Sequence, residues 1–427
     1  MSVFTKSDQM PVYPKHPWSL IQKISFRFFF AFLILYTFPF PLTEVPYLSY
    51  WYSELWHKIA PWVGTQFLHL PPITIFTNGS GDTTYDYVLL LSYVTLAMLI
   101  TIIWSLLDRR RKSYHMAYHW LRVLIRYYMA AMMFSYGFAK VFHLQMPFPY
   151  LSQLVQPFGD KSPMGLAWSY VGYSSWFSAF TGWSEVIAGA FLLFRRTTLL
   201  GAILCAFVTV NIVAINFCFD VPVKLFSSLL LLMSIFLMAP DVQRLLNVFL
   251  LNKPAEPRVY YSYLPKRWMR ITAIVLKYLY IAYMLISHVE NGKYGQARYG
   301  DKRPKPPLYG IYNTELLVRN NDTIPPLTTD TTRWRQVIIQ FEKRAQVKLM
   351  NDSIMPYNFV VDTTLKTATV FSNTDTLHKV VLNYKTDSVY LTLSNDSLYY
   401  RFKKYDHNNF RLVNRGFRWV NEYPYNR

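Results

Sequence analysis

The sequence predicts a polytopic α-helical membrane bundle of about seven spans, followed by a small antiparallel β domain. Three observations carry that expectation. Hydrophobic residues make up 52% of the 427, and they gather in runs of roughly twenty, the length that crosses ~30 Å of hydrocarbon. Basic residues are dense in every second loop between those runs. Beyond about Ser287 the long apolar runs stop, and a period of two takes over near Trp334.

The runs cover about 19–40, 85–107, 119–143, 175–194, 197–219, 222–239 and 268–287, within a membrane domain of residues 1–290. The first is too long for a signal peptide. It carries Lys23 and Arg27 at its inner end and is followed by Pro39-Phe-Pro-Leu rather than a small-residue cleavage site, so it reads as a retained anchor. A net charge of +20 raises nucleic acid as a partner, but its distribution points elsewhere. Arg109, Arg110, Arg111, Lys112, Arg195, Arg196, Arg244, Lys253, Arg258, Lys266 and Arg267 put eleven basic residues in one set of short loops. The alternate set holds three, Lys58, Lys161 and Lys224. That asymmetry marks the cytoplasmic side, so the amino terminus is expected inside and everything after about Ser287 outside. The expected partner is a lipid bilayer, not a nucleic acid.

The outer loop 41–84 is aromatic. Trp51-Tyr-Ser-Glu-Leu-Trp56 reads as an interfacial segment, and Pro61 to Phe76, cut by Pro71-Pro72, as a surface stretch. The segment from Gln145 to Ser174 is rich in Pro, Gly and aromatics and is expected to form a structured outer cap. Residues 291–330, with Asp301-Lys-Arg-Pro-Lys-Pro-Pro307, read as a stiff spacer. Residues 331–427 then form the β domain, six to eight strands punctuated by Asn351-Asp-Ser, Thr386-Asp-Ser and Asn395-Asp-Ser turns. Cys205 and Cys218 lie thirteen residues apart in one run. A helix separates them by ~20 Å, too far for a disulfide.

Ionisable residues inside spans are costly and are therefore candidates for function. Counting 1.5 Å per residue from the inner arginines puts Glu185 near mid-membrane and Lys140 and Asn211 in the outer half. Asn216, Asp220 and Lys224 fall at the outer boundary, with His143 at a similar level. Lys140 and Glu185 are the expected catalytic pair. His143, Asn211, Asn216, Asp220 and Lys224 are the expected ligand-binding group, opening outward. Pro222 must break the helix near Asp220, and broken backbone at that depth needs protein or water around it. Plainer readings are a snorkelling Lys224 and Asp220 as a helix cap. No metal site is expected, since His115 and His119, although four apart, sit at a basic inner boundary.

Gly137-Phe-Ala-Lys140, followed one helix later by Glu185-Val-Ile-Ala-Gly189, with Leu192-Leu193 and Gly201, resembles the core signature of the DoxX family. The resemblance covers roughly 119–240 and implies a four-helix core. Larger members from Bacteroidetes-type bacteria add helices and an exported β domain, which would make this an inner-membrane protein with a periplasmic tail. It also implies a link to quinone-dependent oxidation. The expected function is thus a quinone-linked redox protein or subunit, its electrons coming from a redox partner. The sequence carries no evident haem, iron–sulfur or nucleotide motif. The alternative is a non-enzymatic envelope protein that binds a lipid or small ligand, or anchors its β domain for a periplasmic partner.

Overall fold

The computed structural model describes residues 17–257, 264, 266–372, 375 and 377–426. Residues 1–16, expected in the cytoplasm, and Arg258 of the basic loops lie outside them. Twelve α-helices are described: α1 Leu20–Thr37, α2 Leu48–Phe67, α3 Thr84–Leu107, α4 His115–Val141, α5 Leu151–Val155, α6 Pro163–Tyr173, α7 Ser175–Leu193, α8 Thr198–Cys218, α9 Lys224–Met238, α10 Val242–Phe249, α11 Arg267–Arg298 and α12 Arg411–Asn414. Six are long and apolar enough to cross a membrane: α1, α3, α7, α8, α9 with its continuation through α10, and α11. The expected seventh, α4, is 27 residues long but carries Arg122, Arg126 and Lys140, which lower its apolarity. The first half of it nevertheless lies near α1. Phe26 of α1 meets Tyr118 of α4 edge-on, with centroids 6.1 Å apart, and Phe40, just past the end of α1, meets Tyr128 at 5.5 Å.

The helices start where the local chemistry dictates. Ser19 opens α1 and Thr83 opens α3, each in a reciprocal capping box with Gln22 or Asp86. The expected interfacial segment and surface stretch are in fact one helix as far as Phe67, with Pro61 inside it. A proline removes one backbone hydrogen bond, but Trp56, Ala60 and Gly64 recur every fourth residue and bury one continuous face. Trp56 meets Tyr93 of α3 edge-on at 4.5 Å.

The chain divides into two compact units. The helical unit runs through Met146 and resumes over Ser174–Gly295; the second joins Pro147–Tyr173 to Gln296–Arg427. The segment expected as an outer cap thus belongs with the β domain. Nine strands are described there: β1 Gly310–Arg319, β2 Asp322–Thr323, β3 Trp334–Phe341, β4 Arg344–Leu349, β5 Ile354–Asp362, β6 Thr367–Ser372, β7 Val380–Thr386, β8 Tyr390–Ser394 and β9 Leu398–Tyr405; β3 to β9 fall within 331–427, where six to eight were expected, and β1 and β2 fall in the region expected as a spacer. All pairings are antiparallel, and β1 pairs with both β3 and β9, so the sheet closes into a barrel. Since α11 continues to Arg298 and β1 begins at Gly310, half of the region expected as a spacer over 291–330 is helix or strand.

Alternation fills the barrel. Leu391, Leu393, Tyr400 and Phe402 point inward, along with Val337, Val347 and Phe359. The turns follow the Asx chemistry expected of them: Asp387 Oδ1 accepts from Val389 N at 2.7 Å and Tyr390 N at 2.6 Å. On the outside, Leu151 of α5 packs with Ile311 and Ile338.

Candidate functional site

Helices α4 and α7 touch at two glycines. A Cβ on Gly137 would stand 2.8 Å from the Gly182 oxygen, and one on Gly182 would stand 2.5 Å from the Gly137 oxygen. Only hydrogen at both positions permits that approach, as small residues do in membrane helix contacts. Gly189 lies against Met133 and Ala130 further down, so the helices run antiparallel. Three residues beyond each glycine stands an ionisable residue, Lys140 on α4 and Glu185 on α7. Helical side chains lean toward their own amino terminus. On antiparallel helices the two therefore lean toward each other across the glycine contact.

They meet. The Lys140 ammonium donates to a Glu185 carboxylate oxygen, with the residues 6% and 2% exposed. The Lys140 carbonyl accepts from Ser178 Oγ and from the His143 N–H, both at 2.9 Å. His143 is buried at the end of α4, in the left-handed region at φ 56°. The other Glu185 oxygen, Oε2, is buried and accepts no hydrogen bond.

The remaining expected ligand residues form a separate group. Asn211 is exposed on the outer surface of α8, so its depth was a poor guide to its direction. Asn216 is buried and donates to Ser227 Oγ at 3.0 Å, pinning the α8–α9 corner. Asp220, at φ 50°, holds its side chain in the open and pairs with Lys224 at 2.8 Å. The cap of α9 is a different aspartate: Asp82 accepts from Lys224 N at 2.7 Å and Leu225 N at 3.0 Å. Gly81 N donates to Pro222 O at 2.8 Å, stitching the two segments together. Among the described residues none of these groups bonds to Lys140 or Glu185 side chains, so the single outward-opening site expected from the sequence resolves into two.

Two arginines on α4 tie it to neighbouring helices. Arg126 Nε donates to Leu192 O at 3.0 Å, and Arg122 donates to Leu237 O at 3.3 Å. The first satisfies one of the last carbonyls of α7, which has no partner within its own helix, and the second reaches the junction of α9 and α10. Arg27 is bound similarly, to Tyr114 OH at 2.7 Å, Ser105 Oγ at 2.8 Å and Asp108 O at 2.9 Å.

Beneath the Gly79–Gly81 loop lies a cavity of about 450 Å³ between α1, α3, α4 and α9. Tyr36, Tyr93, Tyr128, Tyr136 and Phe226 bring aromatic rings to it, Asp86 a carboxylate, and Leu89, Leu90, Leu225 and Leu229 apolar wall. Val223, from the corner after Pro222, also lines it. Sequence reasoning missed the cavity. Its one local signal is Tyr128 and Tyr136, eight residues apart and hence on the same face of α4.

The chain is 35% identical over 133 residues to the uncharacterized protein YwoB of Bacillus subtilis (strain 168), a match covering 29% of this chain and 79% of that protein. At that identity and coverage, the chain belongs to the same family as YwoB. No family model matches the chain, and no solved structure matches it.

Proposed function

We propose that the chain is an inner-membrane protein that binds a lipid or small amphipathic ligand in its helical bundle and carries its β barrel on the periplasmic side as an interaction module. In this reading α4 is the seventh span and α4, α7, α8 and α9 form a DoxX-like core. The nearness of its first half to α1 supports the span, and the eleven-to-three division of loop basic residues supports the orientation. The observation that carries the ligand-binding function is the separation of pair and cavity. Lys140 and Glu185 are sealed over a backbone contact, where their role is to fix two helices, while the tyrosine-lined cavity offers room, apolar wall and a few polar groups, the usual composition of a ligand site.

Mass spectrometry of molecules extracted from the purified full-length protein tests this. A co-purifying amphiphile is expected in the wild type, lost in Leu229→Trp, which fills the cavity, and retained in the Lys140→Met/Glu185→Gln double variant. An empty wild type would defeat the proposal.

The unpartnered Glu185 oxygen favours a second reading, quinone-linked redox chemistry. There a quinone would gain two electrons from a redox partner and two protons from water, one of them relayed through Glu185 Oε2. A bound quinone lost on Glu185→Gln would select that reading.

A further inference from the structure

We infer that the cavity beneath the Gly79–Gly81 loop is an aromatic cage for an organic ammonium group, supplied in a membrane by an aminophospholipid headgroup. The inference rests on the ligand-binding reading above and names its ligand class. Tyr36, Tyr93, Tyr128, Tyr136 and Phe226 line the cavity from four helices. Neighbouring rings meet at angles rather than lying parallel: Tyr36 and Tyr93 stand at 88° with centroids 6.4 Å apart, and Tyr136 and Phe226 at 43° and 5.7 Å. Ring faces are the negative part of the aromatic quadrupole, and several turned toward one space attract a cation, best a weakly hydrated alkylammonium.

The charge inventory has the same sign. Asp86 brings the carboxylate of the cavity, and among the described residues no Lys, Arg or His lines it. Asp86 Oδ2 holds Thr83, at 2.8 Å to its N–H and 2.6 Å to its hydroxyl. Among the described residues Oδ1 accepts no hydrogen bond and is left to a ligand. The leucines continuing the wall suit an acyl chain, which favours a lipid over a free amine. A phosphate or carboxylate would find no cation here, and a neutral ring carbonyl would use tyrosine hydroxyls instead of ring faces.

That last difference supplies the test. Full-length protein is titrated with short-chain phosphatidylethanolamine, with phosphatidylglycerol of the same chains, and with tetramethylammonium chloride against a sodium chloride control. Phosphatidylethanolamine is expected to bind about tenfold tighter than phosphatidylglycerol and to be displaced by tetramethylammonium. Tyr128→Phe keeps the ring and is expected to leave affinity within about twofold, whereas Tyr128→Leu weakens it about tenfold. Tyr136→Leu, at the more exposed rim, and Asp86→Asn, which keeps an acceptor for Thr83, are expected to weaken it in the same direction, so the result does not depend on one variant folding. Equal binding of the two lipids, or no displacement by tetramethylammonium, overturns the cage and leaves a lipid site. Equal losses in Tyr128→Phe and Tyr128→Leu overturn it in favour of hydroxyl bonding to a carbonyl ligand. Failure of the wild type to bind any probe overturns both the cage and the ligand-binding reading.

Discussion

Lys140 and Glu185 each stand three residues after the glycine on which their helices touch, and they lean toward each other because the helices are antiparallel. The ion pair and the backbone contact are therefore one device. Close approach brings the charges within reach, and the pair holds the approach. Leaving either charge alone in that buried place costs about 3–5 kcal/mol. Lys140→Met and Glu185→Gln should each lower thermal stability strongly, and the double variant should lose less than the sum of the two. A double-mutant cycle of melting temperatures measures this, and additive losses would separate the residues.

The glycine contact makes its own prediction. A methyl group at Gly182 must displace backbone rather than the end of a flexible side chain. Gly182→Ala should cost about 1–3 kcal/mol, the usual range for overpacking. Gly159→Ala, with no atom near the added carbon, should change the melting temperature little. Equal effects at the two positions would contradict the tight crossing.

At the α8–α9 corner the aspartates should differ. Asp82 caps α9 from a loop far away in sequence, so Asp82→Ala should destabilise by about 1–2 kcal/mol. Asp220 is exposed, and Asp220→Asn should stay within about 0.5 kcal/mol. Denaturation of the two variants, compared at equal detergent concentration, checks the assignment. The reverse order would return the cap to Asp220.

The barrel should weaken in acid. The N–H groups of Tyr390 and Val389 hold the Asp387 carboxyl below its ordinary value, and Thr332, through its N–H and hydroxyl, does the same for Asp330. A depressed carboxyl contributes stability that is present above its unfolded value of about 3.9 and is lost as pH falls through the folded value. The barrel transition should therefore shift down below about pH 4. Asp387→Asn, which still accepts the turn bonds but does not titrate, should flatten that shift in calorimetry of the full chain. An unchanged slope would show that the turn carboxylate contributes nothing.

The pair was legible in the sequence because charges are rare within apolar runs, and counting along the two helices predicted that both would stand well inside the bundle. Depth is not direction, so Asn211 was grouped with residues it turns away from. The role of Asp82 depends on a bond to Lys224, 142 residues on, which no local pattern carries. Leu391 and Leu393 announced a strand by alternating with Tyr390 and Thr392, yet barrel closure is set by β1 meeting β9, the two ends of the domain. The cavity was hidden for a related reason. Its tyrosines come from three helices in a chain with 34 tyrosines, and only packing selects four of them.

The orientation underlies the whole functional account, and cysteine labelling of intact cells tests it most directly. Ser80→Cys at the cavity roof, Ser388→Cys in the barrel and Ser113→Cys between α3 and α4 would be made in a Cys218→Ser background. A membrane-impermeant maleimide, admitted through a permeabilised outer membrane, should modify positions 80 and 388 at once. Position 113 should react only after the inner membrane is broken. Labelling of position 113 in intact cells, with 80 and 388 protected until lysis, would contradict the account.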